Sequence, residues 1–553
     1  MAIKKKDIKK MIRGVIQGII ILILLYIIIK AIFTFKTYKP FDASEISYGV
    51  NSGFVALSYK GVDREGTESL VSVEKINKQL CALKKSGYIT ITQEDIINYY
   101  LHDKALPEKA LYLLFEDGRK DTAIVTQDIL EKYNYKATIL GYAEKLENED
   151  SRFLNKDELK KLLKNSFWEL GTNGYRLEYI NVFDKNDNYL GELNSIEFLK
   201  QKANIEENYN HYLMDYIRDE YDVPKENFSQ MKDRIKIDYT LLNEIYKKEI
   251  GFPPKLYVLM HSNSGQFGTN DKVSVINEEC IKNNFDINFN REGNSLNNIE
   301  SSIYNLTRIN VHAEWSANHL LMHVLDDTKN DINFIVGDLE KASEWDKIEG
   351  EAEFVNDKII LTTKPGSNGL LRLKNNKKYD NINLSVSLEG NNRGEQSIYL
   401  RADKELSSYI LVEIINNNLI VFSKESNGKQ KVNYEINLDE FNIGNNKEVE
   451  ILLDGNCLNV IIDGKLVVNN LDLKTKLDIG YIYLQSKWND VYNNTDAKYD
   501  VYDDVYDGIF KNLIIKGKNN NMIFDGSLRG VEKVVYNAKD LWFKVTNWFI
   551  KVF

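Results

Sequence analysis

The chain has 553 residues, a formal net charge of −10 and 28% charged residues. That length implies two or three domains at ~100–200 residues each, and 43% hydrophobic with 11% aromatic residues excludes wholesale disorder. The acidic balance excludes a nucleic-acid binder, which needs a basic footprint. Three distant cysteines, Cys81, Cys280 and Cys457, exclude a disulfide scaffold or a CxxC zinc module, and six histidines leave thin material for a His-rich metal site.

Residues 1–14 form a basic segment, with Lys4, Lys5, Lys6, Lys9, Lys10 and Arg13 against Asp7 alone. Residues 15–35 come next as an almost unbroken apolar run, about long enough to cross a ~30 Å hydrocarbon core as one helix. The basic flank predicts a cytoplasmic N-terminus and an extracellular bulk. A cleaved signal peptide is the competing reading, but the exit Phe33-Thr34-Phe35-Lys36 is bulky and lacks a small-x-small site. The expectation is a single-span anchor in the cell membrane.

Residues 45–326 alternate strand-like and helical segments. Val55–Tyr59, Ala110–Phe115 and Lys136–Leu140 read as strands. Between them, Ser72–Gly87 and Thr122–Tyr133 read as helices, the first with Val73, Ile76, Leu80 and Leu83 on one face and Gly87 as its stop. This β-α-β-α order predicts a parallel sheet covered by helices, with any site at the carboxyl ends of the strands. Asn194–Ile250 reads as helix-rich, with Met231, Ile235, Leu242, Ile245 and Tyr246 on one face.

From residue 328 to 520 the texture becomes all-β. Short alternating strands at 382–386, 397–400, 409–414, 449–453 and 458–462 are punctuated by Asp454-Gly455 and Asp463-Gly464, which predicts hairpins in a two-sheet sandwich. Asp500, Asp503, Asp504 and Asp507 form an acidic loop, read as solvated or as a calcium site. Residues 531–553 form an amphipathic helix, either interfacial or packed back on a domain. His319 and His323 have i, i+4 spacing without the Glu of a zinc helix, so a surface or core role is expected.

The first half resembles the polysaccharide deacetylases of carbohydrate esterase family four. The stretch Leu57-Ser58-Tyr59-Lys60-Gly61-Val62 is similar to that family's opening Leu-Ser-Tyr-His-Gly element. Leu83-Lys84-Lys85-Ser86-Gly87-Tyr88, then Ile91-Thr92, matches its next step. Leu114-Phe115-Glu116-Asp117-Gly118 stands where the family has Thr-Phe-Asp-Asp-Gly, and Tyr133–Thr138 matches the family's segment after the next helix. Glu169-Leu170-Gly171-Thr172-Asn173, ending in Leu177, stands for Glu-Ile-Gly-Ser-His-x-x-x-His, and Leu259-Met260-His261 for the late Leu-His strand. The resemblance implies a deacetylase-like (β/α) barrel acting on N-acetylated cell-wall or exported polysaccharide.

Carried over residue by residue, the resemblance makes Glu116 the catalytic base and His261 the general acid. Asp117 and Asn173 become what is left of a divalent, zinc-like metal site. Leu177 replaces the second metal histidine and Lys60 the early one. Lys60, Tyr175 and Arg176 are the candidate substrate contacts. A metal lowers the pKa of its water enough to make a nucleophile, but an amide oxygen is a poor zinc donor and a leucine is none. Two readings result: a deacetylase with a degraded metal site, or an inactive glycan-binding or scaffold component of a polysaccharide synthase complex. The family's arginine motif has no clear counterpart; Arg218 and Arg234 fall in an apparent insertion. The β domain resembles concanavalin- or laminin-G-like sandwiches through Val460–Val467 and Asp507–Ile515, which implies carbohydrate binding.

Overall fold

The computed structural model describes residues 17–19, 36–42 and 53–552, apart from residues 148–149, 207–208, 262–264, 375–378, 391–392, 442, 445 and 490–502. The predicted membrane segment, residues 15–35, lies almost wholly outside the described residues. Among the described residues no helix is long and apolar enough to cross a membrane.

Seven strands form a closed parallel barrel. They are β1 (Phe54–Tyr59), β2 (Ala110–Phe115), β3 (Ala137–Tyr142), β4 (Trp168–Gly174), β5 (Leu256–Val258), β6 (Ile287–Glu292) and β7 (Leu306–Asn310). Each pairs in parallel with the next, and β7 returns to β1 through Leu57↔Ile309 and Ser58↔Asn310. Every residue of β1 and β2 is buried, as expected of strands filled on one face and covered by helices on the other. Their sequences are therefore continuous apolar runs rather than alternating ones.

The helices start where local chemistry dictates. In α1 (Val73–Lys85) the Ser72 side chain accepts from the Lys75 backbone, and in α2 (Gln93–His102) Thr92 and Asp95 make a reciprocal capping box. The predicted face of α1 is the one that is buried. α3 (Lys120–Tyr133) ends on Asn134 in the left-handed region, and α4 (Phe228–Glu249) opens with an Asn227–Gln230 box. α5 (Asp271–Asn284) and α6 (Ala317–Thr328) complete the covering layer, α6 packing beside α1.

The segment between β4 and β5 opens with a small sheet, most of which precedes Asn194–Ile250, the stretch expected to be helix-rich and in which Ser195–Gln201 and α4 form. Glu178–Phe183, Tyr189–Asn194 and Asn210–His211 form a small antiparallel sheet with its own core of Tyr179, Val182, Leu193, Phe198 and Ile205. A short helix, Ser195–Gln201, precedes α4. α4 buries Met231, Ile235, Leu242, Ile245 and Tyr246 on the expected face, and Phe198 of the short helix packs into the core of the small sheet.

From Trp345 onward the chain builds a seven-stranded and an eight-stranded antiparallel sheet. Buried residues from both, among them Leu371, Ile398, Val412 and Leu484 from one and Leu384, Ile451, Val460 and Phe510 from the other, join in one apolar core. Asp463 and Gly464, both at positive φ, close the two-residue hairpin between Cys457–Ile462 and Lys465–Asp472. The last helix, Gly530–Val552, leaves Leu541 at 63% and Trp542 at 71% exposure, so these side chains are not packed back on either domain.

Candidate functional site at the barrel mouth

The carboxyl ends of the barrel strands bring together Ser58 from β1, Glu116 and Asp117 after β2, Asn173 from β4, Glu292 from β6 and Arg308 from β7. Glu116 enters this cluster because its backbone N–H still bonds to the Tyr59 carbonyl (2.9 Å), which prolongs the β1–β2 ladder by one residue. The chain then turns sharply. Asp117 and Gly118 have φ of 64° and 62°, a conformation cheap for glycine and tolerated by aspartate. A Cβ at position 118 would also stand 3.1 Å from the Cα of Gly141.

Glu116 is 3% exposed, and one of its two carboxylate oxygens takes both of its side-chain hydrogen bonds. The Ser58 hydroxyl donates to its Oε1 at 2.5 Å and the Arg308 Nε donates to the same oxygen at 2.9 Å. Arg308, itself 1% exposed, donates from Nη2 to Glu292 Oε1 at 2.9 Å. One guanidinium thus bridges two acids inside the barrel. Burial pushes Glu292 above the usual carboxylate range, with Arg308 opposing the shift. Arg308 is the residue that sequence reading did not find. It lies 192 residues beyond Glu116, in a run, Leu-Thr-Arg-Ile-Asn, that reads as an ordinary strand; an arginine between apolar strand positions was its only signal.

Asp117 behaves differently. Burial and then the neighbouring Glu116 push its carboxyl up to about 7, against the opposing pull of Lys60 and Arg119. Its backbone N–H donates to Asn173 Oδ1 at 3.2 Å, while Asn173 Nδ2 faces Met260 Sδ at 3.4 Å. The asparagine oxygen is therefore used in holding the turn. The cavity that Asp117 lines with Gly118, Tyr142 and Lys145 has a volume of about 10 Å³, roughly one water in size.

His261 also has positive φ (58°) and sits among aromatic rings of the insertion. Tyr179 meets it edge-on at 5.6 Å, and His211 stacks on it at 6.1 Å. His211 is buried, and burial pushes it down to about 4, so it is neutral at ordinary pH. Leu177 packs with the insertion core, whereas Lys60 is exposed yet near enough to the barrel mouth for its charge to oppose the upward shifts of Asp117 and Glu292. Arg176 donates to Asp238 on α4 (3.2 Å) and to Glu178 (3.1 Å), and it lies over the rings of Tyr175 and Tyr212. Its guanidinium ties the insertion to α4, while Tyr175 is half-buried beside it.

The divalent metal implied by the resemblance was tested against these side chains, and they do not fit it. Asp117 offers a carboxylate, the Asn173 oxygen already accepts a hydrogen bond, and Leu177 points its apolar chain elsewhere. Among the described residues, no three His, Cys, Asp or Glu groups at the barrel mouth bring ligand atoms together. A distinct property of this mouth is the Asp117 carboxyl, pushed up to about 7 chiefly by burial.

That property has a stability consequence. An aspartate near 3.8 in the unfolded chain and near 7 in the fold favours folding only while protonated; the benefit is lost as pH rises through 7. Asp117→Asn is therefore expected to raise the melting temperature at pH 8 and to have a much smaller effect at pH 5, by scanning calorimetry of the full chain. A destabilising effect at pH 8 would show instead that the anionic form is held by a partner.

The fold and this cluster define a seven-stranded parallel (β/α) barrel with a carboxylate-rich mouth, joined to a two-sheet β domain. No family model matches the sequence, and no curated protein does so. Among solved structures, the chain is similar to a de-N-acetylase from Aggregatibacter actinomycetemcomitans, at 18% identity over 48% of this chain and 96% of that one, with a TM-score of 0.37. The BpsB deacetylase domain from Bordetella bronchiseptica is similar at 14% identity, over 48% and 98% of the two chains, with a TM-score of 0.37. The carbohydrate binding module CBM66 from Bacillus subtilis is similar at 14% identity, over 31% and 94%, with a TM-score of 0.23. Likeness at these levels carries nothing about activity.

Proposed function

We propose that this is a polysaccharide deacetylase-like protein that binds polysaccharide without hydrolysing it, held at the outer face of the cell membrane by residues 15–35. The observation that carries the reading is the state of Glu116. A general base must reach the proton it removes, and here the carboxylate is buried and clamped by Ser58 and Arg308. The residue types at Asn173 and Leu177 support the same reading, since an amide oxygen is a poor zinc donor and a leucine is none. The ligand class is an N-acetylated cell-wall or exported glycan, and a scaffold role beside a polysaccharide synthase is consistent with it. The β domain, concanavalin- or laminin-G-like in its hairpins, is a second carbohydrate-binding candidate.

One observation favours the other reading, hydrolysis by a metal-poor site. Asp117, poised at about 7, has the pKa of a working general acid or base. The two are separated by incubating the full chain with N-acetylglucosamine oligomers, with and without added divalent cation. Acetate release should stay at the no-enzyme rate, while affinity electrophoresis on acetylated polymer should show retardation. Acetate release lost in Asp117→Asn would overturn the binding-only reading.

A further inference from the structure

Asp503 and Asp507 of the acidic loop, whose Asp500 lies outside the described residues, meet the i, i+4 histidines at the junction of the two domains. Ser316 caps α6 by accepting from the His319 backbone at 3.1 Å, which sets His319 and His323 one turn apart on the same face. The Trp315 ring stacks on both imidazoles, at 4.6 and 4.7 Å. From the β domain, Asp503 Oδ1 lies 3.1 Å from His319 Nε2 and 3.0 Å from His323 Nε2. The three ligand atoms all fall within 4.8 Å of one another. Asp503 and Asp507 are thus neither solvated nor arranged as an oxygen-only calcium loop.

The surroundings are those of a built site. His319 turns its other nitrogen, Nδ1, to Asp507 Oδ2 at 3.2 Å. Asp507 is itself fixed by the Ser316 backbone N–H (2.9 Å) and the Thr362 hydroxyl (2.6 Å). A carboxylate on the far nitrogen is what fixes the tautomer and orientation of a metal-bound histidine. Asp503 is oriented in the same way: its Oδ2 accepts from Trp315 Nε1 at 2.8 Å, and its Oδ1 accepts from the Val505 backbone at 3.1 Å. Zinc bonds of ~2.0–2.2 Å in tetrahedral geometry place ligand atoms roughly 3.3 Å apart, close to the two histidine–aspartate separations of 3.1 and 3.0 Å. His319 and Asp503 also line a cavity of about 540 Å³, with Lys75, Glu314, Arg393 and Trp488 among its walls; it provides an entry path and room for a water as fourth donor.

We propose that His319, His323 and Asp503 form a zinc-class divalent-cation site that clips the barrel to the β domain. Two imidazoles and one carboxylate suit zinc over calcium or magnesium, which take oxygen donors. Binding takes each imidazole as a neutral ligand through an unprotonated Nε2, its remaining proton on Nδ1, and any further proton an imidazole carries leaves to solvent. The site is separate from the barrel mouth and does not rest on the glycan-binding reading.

The test is titration of the chelator-treated full chain with zinc alone by calorimetry, and with cobalt(II) alone by visible absorption. One equivalent should bind, and cobalt should show the strong absorption of a four-coordinate site. His323→Ala and Asp503→Asn should abolish the cobalt signal, and Asp507→Asn should weaken zinc binding by about 10–100-fold. Asp117→Asn should leave binding unchanged, and calcium should not compete. Circular dichroism confirms that each variant is folded; should His323→Ala fail to fold, Asp507→Asn decides. No stoichiometric binding, binding that survives both Asp503→Asn and Asp507→Asn, or binding lost in Asp117→Asn would each overturn the proposal.

Discussion

Arg308→Met is expected to destabilise the barrel by about 3–5 kcal/mol, the usual loss when one partner of a buried charge cluster is removed. The guanidinium is 1% exposed and serves two acids, Glu116 and Glu292. Without it the exposed Lys60 is the charge left to oppose the burial of Glu292, so the protonated form of Glu292 is favoured in the fold. A folded pKa raised above the unfolded one gives stability that is kept at low pH and lost as pH rises. The deficit should therefore be larger at pH 8 than at pH 5. Hydrogen exchange of β1, β2 and β7 in rising urea reads it directly. The triple variant Arg308→Met, Glu116→Gln, Glu292→Gln should recover most of the loss, because neutral side chains need no counter-ion. A single-variant loss below about 1 kcal/mol, the scale of exposed pairs, would show that the cluster is not a closed electrostatic unit.

The second large effect lies between the domains. Lys78 on α1 reaches Glu353 on the strand Glu351–Val355 at 2.5 Å, with the glutamate side chain 2% exposed and the lysine 31%. Burial pushes Glu353 above the usual carboxylate range and Lys78 opposes the shift; Glu353 Oε2 has no hydrogen-bond partner. Lys78→Met should cost about 3 kcal/mol at pH 8, at the lower end for buried pairs because the lysine is partly in water. The raised folded pKa again means that the loss shrinks at pH 5. Faster exchange in both α1 and the Glu351–Val355 strand, reversed by adding Glu353→Gln, would establish the pair as a domain clasp. Faster exchange in α1 alone would refute it.

Much of the local structure was legible because it depends on near neighbours. The run Ala110–Phe115 is a strand to the residue. Ser72 marks the start of α1, and Asp463-Gly464 closes its hairpin. Each depends on a hydrophobic period, a cap or a turn conformation within a few residues. The buried face of α4 was legible in the same way, whereas the small sheet of Tyr179 and Leu193 depends on partners across the insertion.

The positions of Glu116 and Asp117 at the end of β2, and the residue types at Asn173 and Leu177, were likewise visible in the sequence. It alone determined the order of strands and helices, the acidic charge, the basic-apolar N-terminus and the residue types left at the motif positions. Only the tertiary structure decided what those residues do. Glu116 meets an arginine 192 residues away, and the histidines of α6 meet an aspartate 180 or more residues on. Such pairings come from closing the barrel β7 to β1 and from seating one domain on the other. Their electrostatic meaning appears only once burial removes the water that would otherwise screen each charge.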